Sequence, residues 1–176
     1  MKENRNTPGW RTRSVAALCG LMILGIALDA SFKTWARMWL TPHEPVALLP
    51  GVNLSLGFNP GVAFGLFASN STLEQIITVL VQFGLVAGLF VLFIRAGKVA
   101  QYCYAAIVSG AVGNLVDRLL MGAVTDYIDV YAGAWHWPTF NLADTLIALG
   151  VAGLIGWDFF NSRHSTRHDI VSQVKQ

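Results

Sequence analysis

Charged residues are scarce in this chain of 176 residues, at 12% of the total against 54% hydrophobic residues. That composition, with a mean hydropathy of +0.51, excludes an ordinary water-soluble globular protein. The formal net charge of +2 is too small to indicate a nucleic-acid-binding protein, so we expect no nucleic-acid partner. The length predicts a single domain.

Cysteine is also rare. Cys19 and Cys103 both lie in apolar stretches, without the C-x-x-C spacing of a redox or metal motif. Isolated buried thiols usually pack as small apolar side chains, so we predict neither a disulfide nor a metal site. The H-E-x-x-H motif of zinc peptidases is absent as well. We therefore expect no metal and no other cofactor.

Long apolar runs dominate instead. Residues 75–94 give 20 uncharged residues and residues 99–116 give 18, close to the roughly 20 that a helix needs to cross a bilayer. The sequence predicts an all-α membrane protein with a single integral membrane domain over 1–176. Its four transmembrane helices are predicted over about 14–35, 73–95, 99–119 and 142–160.

The basic residues predict how these helices are oriented. Nine of the twelve Lys and Arg residues lie in the tails 1–13 and 161–176 or in the short connection between the second and third spans. Because basic residues mark the cytoplasmic side, both termini are predicted to be cytoplasmic and the loops 36–72 and 120–141 to lie outside. A basic stretch before an apolar run is also typical of a signal peptide. The Ala27-Leu28-Asp29 sequence is a poor cleavage site, so we expect the first span to be retained.

The two outer loops contain patterns of their own. The alternating runs N-L-S-L-G-F (53–58) and V-T-D-Y-I-D-V-Y (124–131) predict strands of a small extracytoplasmic β-sheet. Residues 62–68 predict a short interfacial helix. Tryptophans at 35, 39, 135 and 137 predict an aromatic belt on the same side of the membrane.

Polar residues gather at the outer ends of three spans. Acidic side chains are costly where water is scarce, so they usually have a partner or a function there. Two carboxylates that meet can share a proton and carry out aspartic-type acid–base chemistry. Asp126 and Asp144 are the main candidates for such a pair. The polar and glycine residues at the same depth are Asp29, Lys33, Gly110, Asn114, Asp117, Arg118 and Asn141.

Most of these polar residues also have a structural interpretation. Asp29 and Lys33, spaced i, i+4, form an ion pair on one helix face. Asp117 and Arg118 brace the end of the third span, and Asn59 and Asn141 cap turns or helix starts. Asp129, three residues after Asp126, is expected on the opposite face of its strand, in water. Spacing alone does not decide whether Asp126 or Asp117 is the partner of Asp144.

Two other functional classes fit the size of the chain. Intramembrane carboxylates also serve small transporters and proton-coupled channels. Against that class, the acidic residues gather at one end of the spans rather than near the midplane. A scaffold protein is the third class, and it would give the polar cluster no purpose.

Five segments together resemble the lipoprotein signal peptidases, or signal peptidase II, of bacterial plasma membranes. They occur in order over almost the whole chain, so the set is far more specific than any one motif. The segments are D-A-S-F-K (29–33), N-P-G-V-A-F (59–64), G-A-V-G-N-L-V-D-R (110–118), V-T-D-Y-I (124–128) and F-N-L-A-D (140–144). Departures from the usual family pattern occur at Ala30, Phe32, Ser109 and Thr125.

The resemblance implies an aspartic endopeptidase in the bacterial inner membrane, with its site facing outward. Asp126 and Asp144 correspond to the catalytic aspartates, although which of them holds the proton is left open. The implied substrate is a prolipoprotein whose lipobox Cys carries diacylglycerol, cleaved just before that Cys. The implied fold is four helices, a β-cradle and an interfacial helix, in a monomer surrounded by phospholipid. Positions that match site-supporting or substrate-binding residues are Asp29, Lys33, Asn59, Gly110, Asn114, Asp117, Arg118 and Asn141.

Overall fold

The computed structural model describes residues 8–61 and 72–173, with side chains over 15–61 and 72–161. It contains four long helices and one small sheet, which confirms the predicted fold class. The elements are α1 (Pro8–Trp39), β1 (Val46–Leu49), β2 (Val52–Asn59), α2 (Thr72–Arg95), α3 (Lys98–Met121), β3 (Val124–Ala132), β4 (Trp135–His136) and α4 (Leu142–Gln173). The interfacial helix predicted over 62–68 lies outside the described residues.

All four helices are long and apolar enough to cross a membrane. The stretches that meet this criterion are Val15–Trp39, Thr72–Arg95, Lys98–Met121 and Leu142–Asn161. Two helices run further than their predicted spans. The first ends at Trp39, shortly before Pro42, and the fourth continues to Gln173 through a segment without Gly or Pro. The predicted spans are limited by the thickness of the membrane, whereas a helix continues until a residue such as Gly or Pro ends it.

The third helix is central and packs against each of the other three. Small residues allow its close contact with α4. A Cβ at Gly110 would overlap the carbonyl oxygen of Ala143, and one at Gly150 would lie 2.7 Å from the carbonyl oxygen of Cys103. Outward faces of the bundle carry exposed apolar side chains such as Ile23, at 67% exposure. Such a surface suits contact with lipid.

The sheet lies at the end of the bundle where α1 ends and α4 begins. Its strands are antiparallel in the order β1-β2-β3-β4, and the strands predicted over 53–58 and 124–131 are confirmed. Gly57 pairs with Asp126 and Leu54 with Ile128, so β2 contains one extra residue between these pairs. Bulges of this kind locally redirect side chains and are common beside active sites.

Two short connections bring the ends of α3, β3 and α4 together. Gly122 ends α3 with φ of 75° and donates its N–H to the Arg118 carbonyl at 2.9 Å. Glycine adopts this left-handed conformation without steric cost, so the chain can turn directly into β3. Phe140 then pairs with Ile128 of β3 through N···O distances of 3.0 and 2.8 Å. Asn141 is thereby brought beside β3 at the start of α4.

Candidate active site

Asp126 on β3 and Asp144 in the first turn of α4 line the same cavity, of about 580 Å³. Asn141 connects them. Its Nδ2 donates to Asp126 Oδ1 at 2.7 Å, and its backbone N–H donates to Asp144 Oδ2 at 3.2 Å. Asp117 is not among the described residues that line this cavity. The structure therefore pairs Asp144 with Asp126, a choice that spacing alone left open.

Asp144 occupies the third position of α4 and shares a capping arrangement with Asn141. The Asn141 Oδ1 accepts the Asp144 backbone N–H at 3.0 Å, while the Asp144 carboxylate accepts the Asn141 backbone N–H in return. The Asn114 Nδ2 donates to Asp144 Oδ1 at 2.8 Å. Because hydrogen-bond donors and the helix N-terminus both favour negative charge, this environment stabilises an ionised carboxylate.

Lys33 determines which way the Asn114 amide points. Its Nζ lies 2.7 Å from Asp29 Oδ2 and donates to Asn114 Oδ1 at 2.8 Å. An ammonium group only donates, so the Asn114 oxygen faces Lys33 and its NH2 group faces Asp144. Asp29 Oδ1 in turn accepts the Ala143 backbone N–H at 2.9 Å. The predicted i, i+4 pair is confirmed, and with both side chains 1% exposed it is buried rather than interfacial.

Asp126 is buried, at 3% exposure. Burial and the neighbouring Asp144 together raise the pKa of Asp126 to about 7, against 3.8 for a free side chain. Hydrogen bonds from Asn141 and Asn59 act in the opposite direction without cancelling the effect. This carboxyl group therefore keeps a proton to much higher pH than an ordinary aspartate.

Arg118 on α3 and Asn59 at the end of β2 line the same cavity. Arg118 donates to Gln82 Oε1 at 3.0 Å and to the carbonyl oxygen of Gly61. Asn59 Oδ1 accepts the Gly61 N–H at 3.1 Å, the turn contact that the sequence predicts as its structural role. Arg118 thus connects α3 to α2 and to the end of β2 while it also lines the cavity.

Asp117 faces the other side of β3. Its Oδ1 lies 2.8 Å from Arg37 Nη1, and its Oδ2 accepts the Thr125 backbone N–H at 2.6 Å. Gly110, two turns earlier on α3, lies close to the start of α4, where a Cβ would overlap the Ala143 carbonyl oxygen. Both residues therefore belong to the framework around the cavity.

Asp129 corrects one prediction. It lies on the strand face opposite Asp126, as expected, but it is 5% exposed rather than solvated. His136 Nδ1 lies 2.8 Å from its Oδ1, and Asn53 Nδ2 donates to its Oδ2 at 3.1 Å. The neighbouring strands β2 and β4 bring these partners over it, which strand alternation alone does not predict. Burial acts to raise the pKa of Asp129, but its hydrogen bonds to His136 and Asn53 hold that pKa below its usual value.

Several residues of the site were not predicted. Tyr127 accepts the Leu142 backbone N–H on its hydroxyl at 3.2 Å, and Gln82 binds Arg118. Arg37 could have been predicted from its spacing in the sequence. It follows Asp29 and Lys33 at a spacing of four residues, which places all three on one face of α1.

Three helices, α2, α3 and α4, contribute side chains to the lining of the cavity. Apolar side chains of α2 and α4 form walls of the cavity, and the two carboxylates and the segment 137–140 also line it. The wall residues are Val81, Leu85, Ile147 and Ala148. An elongated apolar segment with one polar group at its end matches this arrangement.

The chain matches known proteins over most of its length. Residues 21–160 match the model of the family described as signal peptidase (SPase) II. The chain is 39% identical over 156 residues to a lipoprotein signal peptidase of Desulforapulum autotrophicum, covering 85% of this chain and 96% of that protein. It is 40% identical over 134 residues to one of Blochmanniella pennsylvanica, covering 74% and 81%.

Solved structures show the same fold. A bacterial membrane enzyme determined by the in meso method at 2.3 Å resolution matches with a TM-score of 0.75 at 21% identity, over 84% of this chain and 90% of that one. A second such enzyme, at 1.9 Å, matches with a TM-score of 0.70 at 23% identity, over 80% and 91%. With its four apolar helices, the chain is a multi-pass membrane protein. It belongs to the signal peptidase II family of aspartic-type peptidases.

Proposed function

We propose that this protein is a membrane aspartic endopeptidase that removes the signal peptide from diacylglyceryl-modified prolipoproteins, cleaving just before the lipidated Cys. The observation that carries the proposal is the meeting of Asp126 and Asp144 in one cavity, with Asn141 bonded to both. The names of the relatives support the substrate class. No metal or cofactor takes part in the proposed reaction.

We assign Asp144 as the ionised base and Asp126 as the protonated acid. Asp144 receives hydrogen bonds from Asn114 and Asn141 at the start of a helix, where negative charge is favoured. Asp126 is more deeply buried and faces a carboxylate, so it is the member that retains a proton. Because neighbouring like charges disfavour double ionisation, the two groups hold one proton between them.

Cleavage then proceeds in two steps, formation and breakdown of a diol, and each step includes two proton transfers. Asp144 takes a proton from water, whose oxygen bonds to the scissile carbonyl carbon while Asp126 gives its proton to the carbonyl oxygen. In the resulting diol, Asp144 passes its proton to the amide nitrogen and the C–N bond breaks. Asp126 recovers a proton from the diol as the new carboxyl group forms. Both side chains return to their starting states.

The remaining site residues hold this pair in place or grip the substrate. Asn141 and Asn114 orient the carboxylates, and Lys33 with Asp29 orients Asn114. Gly110 permits the close approach of α3 and α4. Asn59 and Arg118 border the cavity, where they contact the substrate backbone, whereas Asp117 supports β3 from behind.

The proposed orientation puts the sheet end of the bundle outside the bacterial inner membrane, with both termini in the cytoplasm. The excess of basic residues at the opposite end supports it. The signal helix of the substrate lies in the apolar groove between α2 and α4, and its diacylglyceryl chains stay in the surrounding phospholipid. The lipid attachment fixes the depth of the scissile bond beside the carboxylates, which contributes to the rate through positioning. The enzyme acts as a monomer.

The proposal is tested with purified protein and a precursor peptide that carries diacylglyceryl-Cys. We expect one cut before that Cys in the presence of a chelator, and no cut in the same peptide without the lipid. Asp144→Asn is the inactive control. Normal cleavage by Asp144→Asn, or ion flux in liposomes without any cleavage, would refute the proposal.

A further inference from the structure

A second hydrogen-bonded cluster lies behind β3, on the face away from the cavity. Arg37 Nη1, in the last turn of α1, donates to Asp117 Oδ1 on α3 at 2.8 Å and to Thr125 Oγ1 on β3 at 2.7 Å. One guanidinium nitrogen therefore joins three elements. Arg37 is not among the described residues that line the cavity.

Every polar group of Thr125 is held in place. Its N–H donates to Asp117 Oδ2 at 2.6 Å, its Oγ1 accepts from Arg37, and its carbonyl accepts from Asn141 Nδ2 at 3.3 Å. Thr125 is 0% exposed, so no water can replace a lost partner without a change of structure. The Thr125 N–H and carbonyl belong to the two planar peptide units on either side of its Cα, so fixing both of them fixes the backbone direction into the next residue. That residue is Asp126.

The ion pair between Arg37 and Asp117 strengthens the hydrogen bonds that hold Thr125. The Asp117 side chain is 7% exposed and requires a compensating positive charge, which Arg37 supplies. Hydrogen bonds between ionised groups are shorter and stronger than neutral ones. Arg37 itself is 23% exposed, so its charge is not fully desolvated. The pair thus differs from a mobile surface ion pair.

We propose that Arg37 is a positioning residue for peptide cleavage: together with Asp117 it holds Thr125, and through Thr125 it sets the position of Asp126 relative to Asp144. This inference rests on the proposed function, in which those two carboxyl groups react. Arg37 itself touches neither the substrate nor the reacting atoms.

The sharpest test compares two substitutions of Thr125. Thr125→Val keeps the shape but loses the hydroxyl, and we expect kcat to fall about tenfold with KM nearly unchanged. Thr125→Ser keeps the hydroxyl but loses a methyl group, and we expect kcat close to that of the wild type. If Thr125 served only to fill space, the order would be reversed, because Val is the better match in volume.

Arg37→Leu tests the other end of the contact. We expect a larger loss of kcat, about thirtyfold or more, because the support of both Asp117 and Thr125 is removed. Thr34→Val is the matched control, since Arg37 Nη2 also donates to the exposed Thr34 hydroxyl at 3.2 Å. That contact does not reach β3, so kcat should be unchanged. Thermal unfolding in detergent checks that each variant is folded, and Thr125→Val carries the test if Arg37→Leu is not.

The double variant Arg37→Leu/Thr125→Val completes the cycle. If the two residues act through one contact, its kcat should match that of Arg37→Leu alone. Losses that multiply, or wild-type kcat in Thr125→Val, would overturn the inference. Asp126→Asn in the same assay separates this from the proposed function. An active Asp126→Asn refutes the function itself, whereas an inactive Asp126→Asn with a normal Thr125→Val refutes only the role of Arg37.

Discussion

Asp126 and Asp129 lie three residues apart on one strand, and both are buried, at 3% and 5% exposure. Each accepts a hydrogen bond from an asparagine side chain, at 2.7 and 3.1 Å respectively. Their pKa values nevertheless move in opposite directions. Burial and Asp144 raise the pKa of Asp126 to about 7, whereas the contacts of Asp129 with His136 and Asn53 outweigh its burial and lower its pKa.

The difference lies in what faces each carboxyl group. The odd spacing puts the two side chains on opposite faces of the strand. One face meets the start of α4 and its carboxylate, and the other meets an imidazole carried by β4. A like charge makes a carboxyl group hold its proton, and a hydrogen-bond donor makes it release that proton. We infer that Asp126 is reactive and that Asp129 ties the sheet together.

The greatest loss of activity should come from Asp126→Asn, with Asp129→Asn as the matched variant that remains active. Asp126→Asn should lower kcat at least about 10³-fold, because the amide cannot donate and recover a proton. Asp129→Asn should keep kcat within about threefold, because that side chain takes no part in the proposed reaction. Cleavage of the lipidated precursor by both variants, at equal protein levels, measures the contrast. Similar losses in the two variants would break the comparison.

The second prediction concerns pH. Activity should fall as pH rises through about 7, because Asp126 then loses the proton that it must donate. The folded protein binds this proton more tightly than the unfolded chain, whose aspartates titrate near 4. The contribution of Asp126 to stability is therefore greatest below pH 4 and is lost as pH rises to about 7.

Carboxyl NMR titrations sharpen that prediction. Asp144→Asn should lower the pKa of Asp126 by removing the like charge, and should leave Asp129 unchanged. His136→Gln should raise the pKa of Asp129, because a hydrogen-bond partner of that carboxylate is lost, and should leave the pKa of Asp126 unchanged. A pKa of Asp126 that does not move in Asp144→Asn would show that burial alone explains its value.

A smaller effect is expected from the helix contact behind the carboxylate pair. A Cβ in Gly110→Ala would overlap the Ala143 carbonyl oxygen and push the start of α4, with Asp144, away from Asp126. Overpacking of this kind costs about 1–3 kcal/mol of unfolding free energy. Gly88→Ala is the control, since its Cβ meets nothing within 4 Å. The unfolding temperature and kcat should both fall for Gly110→Ala and stay unchanged for Gly88→Ala. Equal values for the two variants would contradict the close contact.

The smallest effect belongs to the Asp129 side of the strand. His136 is 50% exposed, so its pairing with Asp129 is screened by solvent. His136→Ala should therefore lower the free energy of unfolding by less than about 1 kcal/mol and leave kcat unchanged. Denaturant unfolding in detergent measures the first quantity, and the cleavage assay measures the second. A large loss of kcat would mean that this end of the sheet is coupled to the reaction.

The elements and the ion pair that could be predicted from sequence alone depend on residues that are close together along the chain. Apolar runs of about 20 residues predict membrane-spanning helices because the bilayer has a fixed thickness. Alternation predicted β2 and β3, and a spacing of four residues predicted the pair of Asp29 and Lys33. Each of these depends only on the period of a helix or a strand.

Contacts between residues that are far apart in sequence could be identified only from the folded chain. Arg37 and Thr125 are 88 positions apart, yet they share a hydrogen bond. Nothing in either local pattern predicts that contact, nor the burial of Asp129 beneath His136. Asp126 rather than Asp117 faces Asp144 because the turn at Gly122 and the pairing of Phe140 with Ile128 bring β3 and α4 together. Such contacts depend on how helices and strands pack, and packing is a property of the whole chain.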